Sequence, residues 1–273
     1  MLSFLDHIFK NGLLGQAVGY SAVNTARSAL STFISIEGVP VGQHHIVKQF
    51  MKGVFNIRPS LPRYATTGTW DLNVILDFLY TLSPVNELSL KMLTYKLTML
   101  LCVLSGQRSQ SVHLFDVINM QLSYSRVEFV IPDCTKTSRP GFHNGVFEYQ
   151  AYAPNRRLCV VTVLKEYLKR TLDVRGKTHS LLLTHAKPHG AASADTIRRW
   201  VKDCLKLGGI DTSIFKPHST RGASTSHACN MNVSLDLIMK SAGWQKENTF
   251  TKYYKFKVKK NFGNEILVHS SQA

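Results

Sequence analysis

The stretch 127–152, VEFVIPDCTKTSRPGFHNGVFEYQAY, is where this chain stops reading as helix. Val127–Ile131 is rich in β-branched and aromatic residues, and Val146–Tyr152 alternates apolar and polar positions, the period of a half-buried strand. Between them, Pro132–Gly145 carries prolines, glycines and basic side chains, including Lys136 and Arg139. The stretch therefore predicts a β-hairpin-like element with a cationic tip.

On either side, apolar residues fall at helical spacing. Trp70–Leu82 and Ser89–Ser105 are expected helices, separated by Ser83-Pro84. Downstream, helices are expected at 158–172, 192–207, 218–230, 234–242 and 246–256. Near the N-terminus, helices are expected over 2–10, 20–34 and His45–Phe55, with a turn at Gly38–Val41 and no strand in the first 58 residues. Arg58–Thr69 has two prolines, no periodicity and a late glycine, the signature of a linker. The fold class read from this pattern is mainly α with a small antiparallel β-sheet. A helical domain over 1–58 is joined by a linker at 59–69 to a larger α+β domain over 70–273. The first helix reads as already under way at Met1, so the first domain is expected to be truncated at its N-terminus.

The charge points to a partner. Among 273 residues, 33 Lys and Arg face 17 Asp and Glu, a net of +16. Such an excess on a folded-protein composition fits a polyanion, above all nucleic acid. Most of it lies beyond residue 62, where 28 basic residues face 15 acids. The five cysteines include no CxxC pair, and most have apolar neighbours, so they are read as reduced and mostly buried. No HExxH motif or paired histidine spacing suggests a metal, and no apolar run approaches the ~18 residues of a membrane span. The acids form no DxD or ExK cluster of the kind a metal-dependent nuclease needs, and no GxSxG of a serine hydrolase occurs.

The candidate site residues are scattered. Arg108 follows the apolar run ending near Leu104, at the turn Ser105-Gly106-Gln107-Arg108. Lys216-Pro-His-Ser-Thr-Arg221 places His218 and Arg221 three apart at a predicted helix start, hence on one face. A guanidinium can hold two phosphate oxygens in a fork while an imidazole donates to a third. Lys136 could protonate a leaving oxygen, and Trp244, after the helix stop Ala242-Gly243, could donate its indole N–H. Tyr253 and Tyr254 could supply a phenolic nucleophile. Each of these residues is ordinary alone.

Their order, Arg, hairpin Lys, His-x-x-Arg, Trp, Tyr, resembles the tyrosine recombinase/integrase family over the whole chain. ARSALSTFI, KQFMKGVFNIRPSLPRY, SGQRSQSVHLFD, KTSRPG, RRLCVV and AGWQKENTFTKYY are similar to the recombinases of DIRS-like and Crypton mobile elements. The resemblance implies a helical, SAM-like core-binding domain plus a catalytic domain, together clamping double-stranded DNA as a homo-oligomer. It implies that Arg108 and Arg221 bind the scissile phosphate, with His218 and Trp244 assisting. Lys136 would act as general acid, and the tyrosine would form a 3′-phosphotyrosyl intermediate. No metal, ATP or small-molecule cofactor is implied, and nuclear localisation is. Arg139, Lys252 and Lys255 would contact DNA, and residues 264–273 would serve assembly. Two departures stand out. Ser111 occupies the position, three after Arg108, where many bacterial and phage members carry an acid. Bacterial and phage spacing selects Tyr253 as nucleophile, whereas the mobile-element pattern selects Tyr254, and adjacent helical side chains point ~100° apart. Whether the chain is an active recombinase or a DNA-binding relic stays open at this point.

Overall fold

The computed structural model describes residues 1–12, 15–59, 68–132 and 146–244. It divides into two compact units, Met1–Thr66 and Thr67–Ala273.

In the first unit, helices α1 (Leu2–Asn11), α2 (Tyr20–Phe33) and α3 (His45–Ile57) bury one stripe each. Leu5, Ile8 and Phe9 meet Val23 and the α3 series Val47, Met51, Val54. The three-to-four spacing of these residues is what makes each helix amphipathic. Arg58 closes the unit. Its Nη1 donates to the Phe9 carbonyl at 2.9 Å and its guanidinium lies 4.5 Å from the Phe9 ring centroid. The expectation of no strand here is corrected. Ser35–Ile36 (β1) pairs antiparallel with Val39–Pro40 (β2). Glu37 and Gly38 adopt φ of 51° and 77°. Positive φ at both central residues is the turn that matches strand twist in a two-residue hairpin. Glycine satisfies it without strain, and a glutamate in that role carries no sequence signal.

The second unit is built around α5 (Leu90–Ser105), in which every residue from Leu93 to Val103 is buried. A helix buried on all faces needs neighbours on all faces. Here they are α7 (Val160–Arg175), α8 (Ala194–Leu207) and α9 (Ser219–Asn230). The remaining helices are α4 (Leu72–Thr81), α6 (Ser109–His113) and α10 (Leu235–Ala242). Two polar residues inside α5 find main-chain partners. Thr94 Oγ1 donates back to Leu90 O at 2.7 Å, and Lys96 Nζ donates to Leu82 O at 2.6 Å. Burial is the main cause that lowers the Lys96 amine to about 8, with the Arg157 charge adding to it.

The sheet is β3 (Met120–Leu122), β4 (Arg126–Val130) and β5 (Val146–Gln150), antiparallel in that order. Phe129 faces Phe147 and Val127 faces Tyr149, which puts the buried set on one face. Phe115 stacks on Phe129 with centroids 4.3 Å apart, and Tyr149 donates to Leu101 O at 3.0 Å, fastening sheet to α5. The mainly helical class with a small antiparallel sheet is as expected. Strand β3 and helix α6 were not, because three and five residues are too short to show a period. Cys102, Cys159 and Cys204 are buried free thiols and Cys229 is a half-buried one. Burial pushes the Cys102 and Cys204 thiols up to about 12. Cys134 lies outside the described residues. Among the described residues, no helix is long and apolar enough to cross a membrane.

Candidate active site

Helix α5 ends because Gly106 turns left-handed, at φ 61°. A Cβ there would stand 3.0 Å from Thr225 Cγ2 and 3.6 Å from the Ala242 Cβ, so glycine also lets the turn press against α9 and α10. Two residues on, Arg108 stands at the N-cap of α6, partly exposed.

Pro217 opens the turn into α9. Ser219 N donates to Lys216 O at 2.8 Å and Arg221 N to His218 O at 3.3 Å. A run of small buried residues, Gly222 to Ser226, then lets α9 approach α5 closely. Ser224 Oγ donates to Val103 O, and Trp70 Nε1 donates to Ser219 Oγ at 2.8 Å. The turn carrying His218 and Arg221 is thereby fixed from both sides.

Helix α10 stops at Gly243, φ 68°, and Trp244 N donates back to Met239 O at 2.9 Å. Trp244 packs beside Ile238, Leu235, Ala228 and Cys229. Its ring lies under Arg221, whose guanidinium carbon is 4.3 Å from the ring centroid. Arg221 is 1% exposed. Stacking on indole is a cation–π contact that holds a desolvated guanidinium in one plane.

Arg108, His218 and Arg221 line one cavity of about 300 Å³, together with Gln107, Thr220 and Arg198. Its described lining holds no Asp or Glu. Concentrated positive charge in a concave, partly dry site suits a phosphodiester. Three of these residues escaped the sequence reading. Arg198 lies on α8, ion-paired with Asp195 one turn back, and looked like one of many basic surface residues. Gln107 is hidden beside a more conspicuous arginine, and Thr220, whose buried Oγ1 has no hydrogen-bond partner among the described residues, carries no signal at all. Lys136, Arg139, Lys252, Tyr253, Tyr254 and Lys255 lie outside the described residues. Among the described residues, no group of three or more His, Cys, Asp or Glu could hold a metal ion. A larger, mostly apolar groove of about 620 Å³ runs between α5, β5, α9 and α10. Its described lining contains no Lys, Arg or His, so the cationic cavity is the better place for phosphate chemistry.

The sequence profile of the phage integrase family matches residues 80–260, a span that includes Arg108, Lys136, His218, Arg221, Trp244, Tyr253 and Tyr254. The chain belongs to the phage integrase family. It is a tyrosine-type recombinase by that membership. The fold of this integrase-family chain is shared with XerH site-specific recombinase bound to palindromic difH substrate in a post-cleavage complex. That structure has 15% identity and a TM-score of 0.60 over 99% of this chain and 70% of that one. The Tn1549 transposon integrase in complex with transposon right-end DNA is similar at 12% identity and TM-score 0.59, over 97% and 83% of the two chains. XerA recombinase is similar at 13% identity and TM-score 0.54, over 98% and 88%. No curated protein matches the chain in sequence.

Proposed function

We propose that this integrase-family chain is a site-specific DNA recombinase of a mobile element. It cleaves and rejoins double-stranded DNA through a 3′-phosphotyrosyl intermediate, without metal or ATP, and serves integration or excision. The observation that carries the reading is the convergence of Arg108, His218 and Arg221 on one cavity from separate segments, with Trp244 stacked on Arg221.

In this reading the two guanidiniums bind the non-bridging oxygens and stabilise the charge that grows on the pentacoordinate phosphorus. His218 donates to the same group. The tyrosine Oη attacks phosphorus, the bond to the 5′-oxygen breaks, and Lys136 protonates that oxygen as it leaves. A 5′-hydroxyl from another strand reverses the step. Tyr254 is the proposed nucleophile and Tyr253 the alternative. Residues 1–58 act as the core-binding domain. Their α2–α3 face, with Arg27, Lys48 and Lys52 around a cavity of about 310 Å³, offers phosphate contacts. Arg139, Lys252 and Lys255 would add to DNA binding. The protein works as a dimer or tetramer on DNA, in the nucleus, and the likeness of its motif stretches to those of DIRS-like and Crypton recombinases supports a mobile-element role.

The test is covalent trapping on nicked duplexes tiled across the DNA flanking the coding sequence. An adduct resistant to detergent and to excess EDTA is expected. Tyr254→Phe should abolish it and Tyr253→Phe should leave it. The reverse pattern would exchange the two roles, and equal retention by both variants would sink a single-nucleophile mechanism. Binding without any adduct would make the chain a DNA-binding relic.

A further inference from the structure

One buried amide joins the Arg108 turn to the end of α10. Gln107, 5% exposed, donates through Nε2 to Ser241 O and accepts at Oε1 from Ser111 Oγ at 3.3 Å. Its own backbone N donates to Ser105 Oγ at 3.2 Å, and Ser241 Oγ returns a bond to Ser105 O at 3.0 Å. Gly106 closes the same seam against Ala242. Both polar ends of the Gln107 side chain are therefore used, and all of its partners lie within one turn of Arg108 or of Trp244.

The chemistry of the pair is matched. The amide nitrogen can only donate, and a main-chain carbonyl can only accept. That contact fixes which way the amide points and leaves its oxygen facing Ser111. A hydroxyl there donates, whereas a carboxylate at position 111 would set two acceptors against each other. The serine that stands in place of an acid is thus explained by the glutamine four residues before it.

We propose that Gln107 is a positioning residue for the reaction. Its amide locks the Arg108 turn to the C-terminal end of α10. It thereby sets Arg108 in register with Trp244. Reaction rate depends steeply on such registration, with displacements near 1 Å costing about 100-fold. The proposal rests on the recombinase reading for its kinetic consequence, but not for the clamp itself.

The experiment uses the full chain and compares Gln107→Met, which keeps the volume and removes the amide, with Gln107→Glu, which keeps an acceptor and removes the donor. Ser111→Ala is the milder third variant. Three quantities are read: adduct formation rate at saturating trapped duplex, duplex affinity, and hydrogen exchange of the Gly243 and Trp244 amides. Both Gln107 variants should slow adduct formation about 10- to 100-fold with affinity within about twofold. Exchange at 243–244 should quicken, and Ser111→Ala should lose only about threefold in rate. Wild-type rates in Gln107→Met would overturn the proposal. So would parallel losses of rate, affinity and melting temperature in both Gln107 variants, which mark a merely structural role. If the wild type forms no adduct, the recombinase reading fails while the exchange arm still decides the clamp. Unchanged exchange at 243–244 would then refute it.

Discussion

The two arginine-bearing turns of the cavity are built in opposite ways. Arg108 is partly exposed on a loop whose neighbours, not the arginine itself, are anchored. Arg221 sits in the first turn of a helix, almost wholly buried and stacked on Trp244. A buried guanidinium has already lost its water, so its interaction with an incoming phosphate costs little reorganisation. An exposed one must shed water as DNA arrives. The contrast teaches that one arginine is preorganised and the other is delivered.

Replacing the preorganised arginine should have the largest effect. Arg221→Ala should slow covalent adduct formation by about 1000-fold, and Arg221→Lys should recover little, because an ammonium can neither stack flat nor fork. Single-turnover trapping measures both, and substantial rescue by lysine would break the contrast. Arg108→Ala should cost about 100-fold, with Arg108→Lys recovering about tenfold, since a solvated lysine can still reach a phosphate. Equal behaviour of the two lysine variants would mean that burial does not separate the roles.

Lys96 sharpens the same point away from the cavity, as a buried cation with no phosphate to meet. Its amine is lowered to about 8 against 10.5 for an ordinary lysine. Between those values the unfolded chain holds a proton that the folded chain lacks, so raising pH stabilises the fold. Wild type should gain ~2 kcal/mol relative to Lys96→Met between pH 8 and 10.5 in urea unfolding. A flat difference would show that the amine is solvated. The smallest effect concerns the support of the Arg221 turn. Trp70→Phe removes only the N–H that holds Ser219, and should slow adduct formation about tenfold at unchanged affinity. Ser219→Ala should match it, and the double variant should add nothing further. Additive losses would show that the two residues act separately.

Much of this was legible beforehand. The β runs at 127–131 and 146–152 found their places as β4 and β5, and the apolar run before Ser105 is the central helix α5. Alternation along a five-residue strand spans two full periods, and a sixteen-residue helix more than four turns, so burial repeats often enough to be read. The Glu37-Gly38 hairpin escaped because its turn rests on a backbone angle that the glutamate does not advertise. Arg198 escaped because nothing in ADTIRRWVK says which arginine of the pair faces the cavity.

The sequence by itself determined the class of fold, the basic character and the order of Arg108, His218, Arg221 and Trp244 that marks the family. Those are properties of spacing and composition, which survive without coordinates. Only the tertiary structure decided that Arg221 is buried on Trp244 while Arg108 is not, and that Gln107, Trp70 and Gly106 hold the two turns. The Gln107 and Trp70 contacts join residues 134 and 149 positions apart, and the Gly106 contact depends on a left-handed turn meeting two other helices. No local preference encodes such meetings. They follow from how α5, α9 and α10 pack, and packing is settled by the whole core at once.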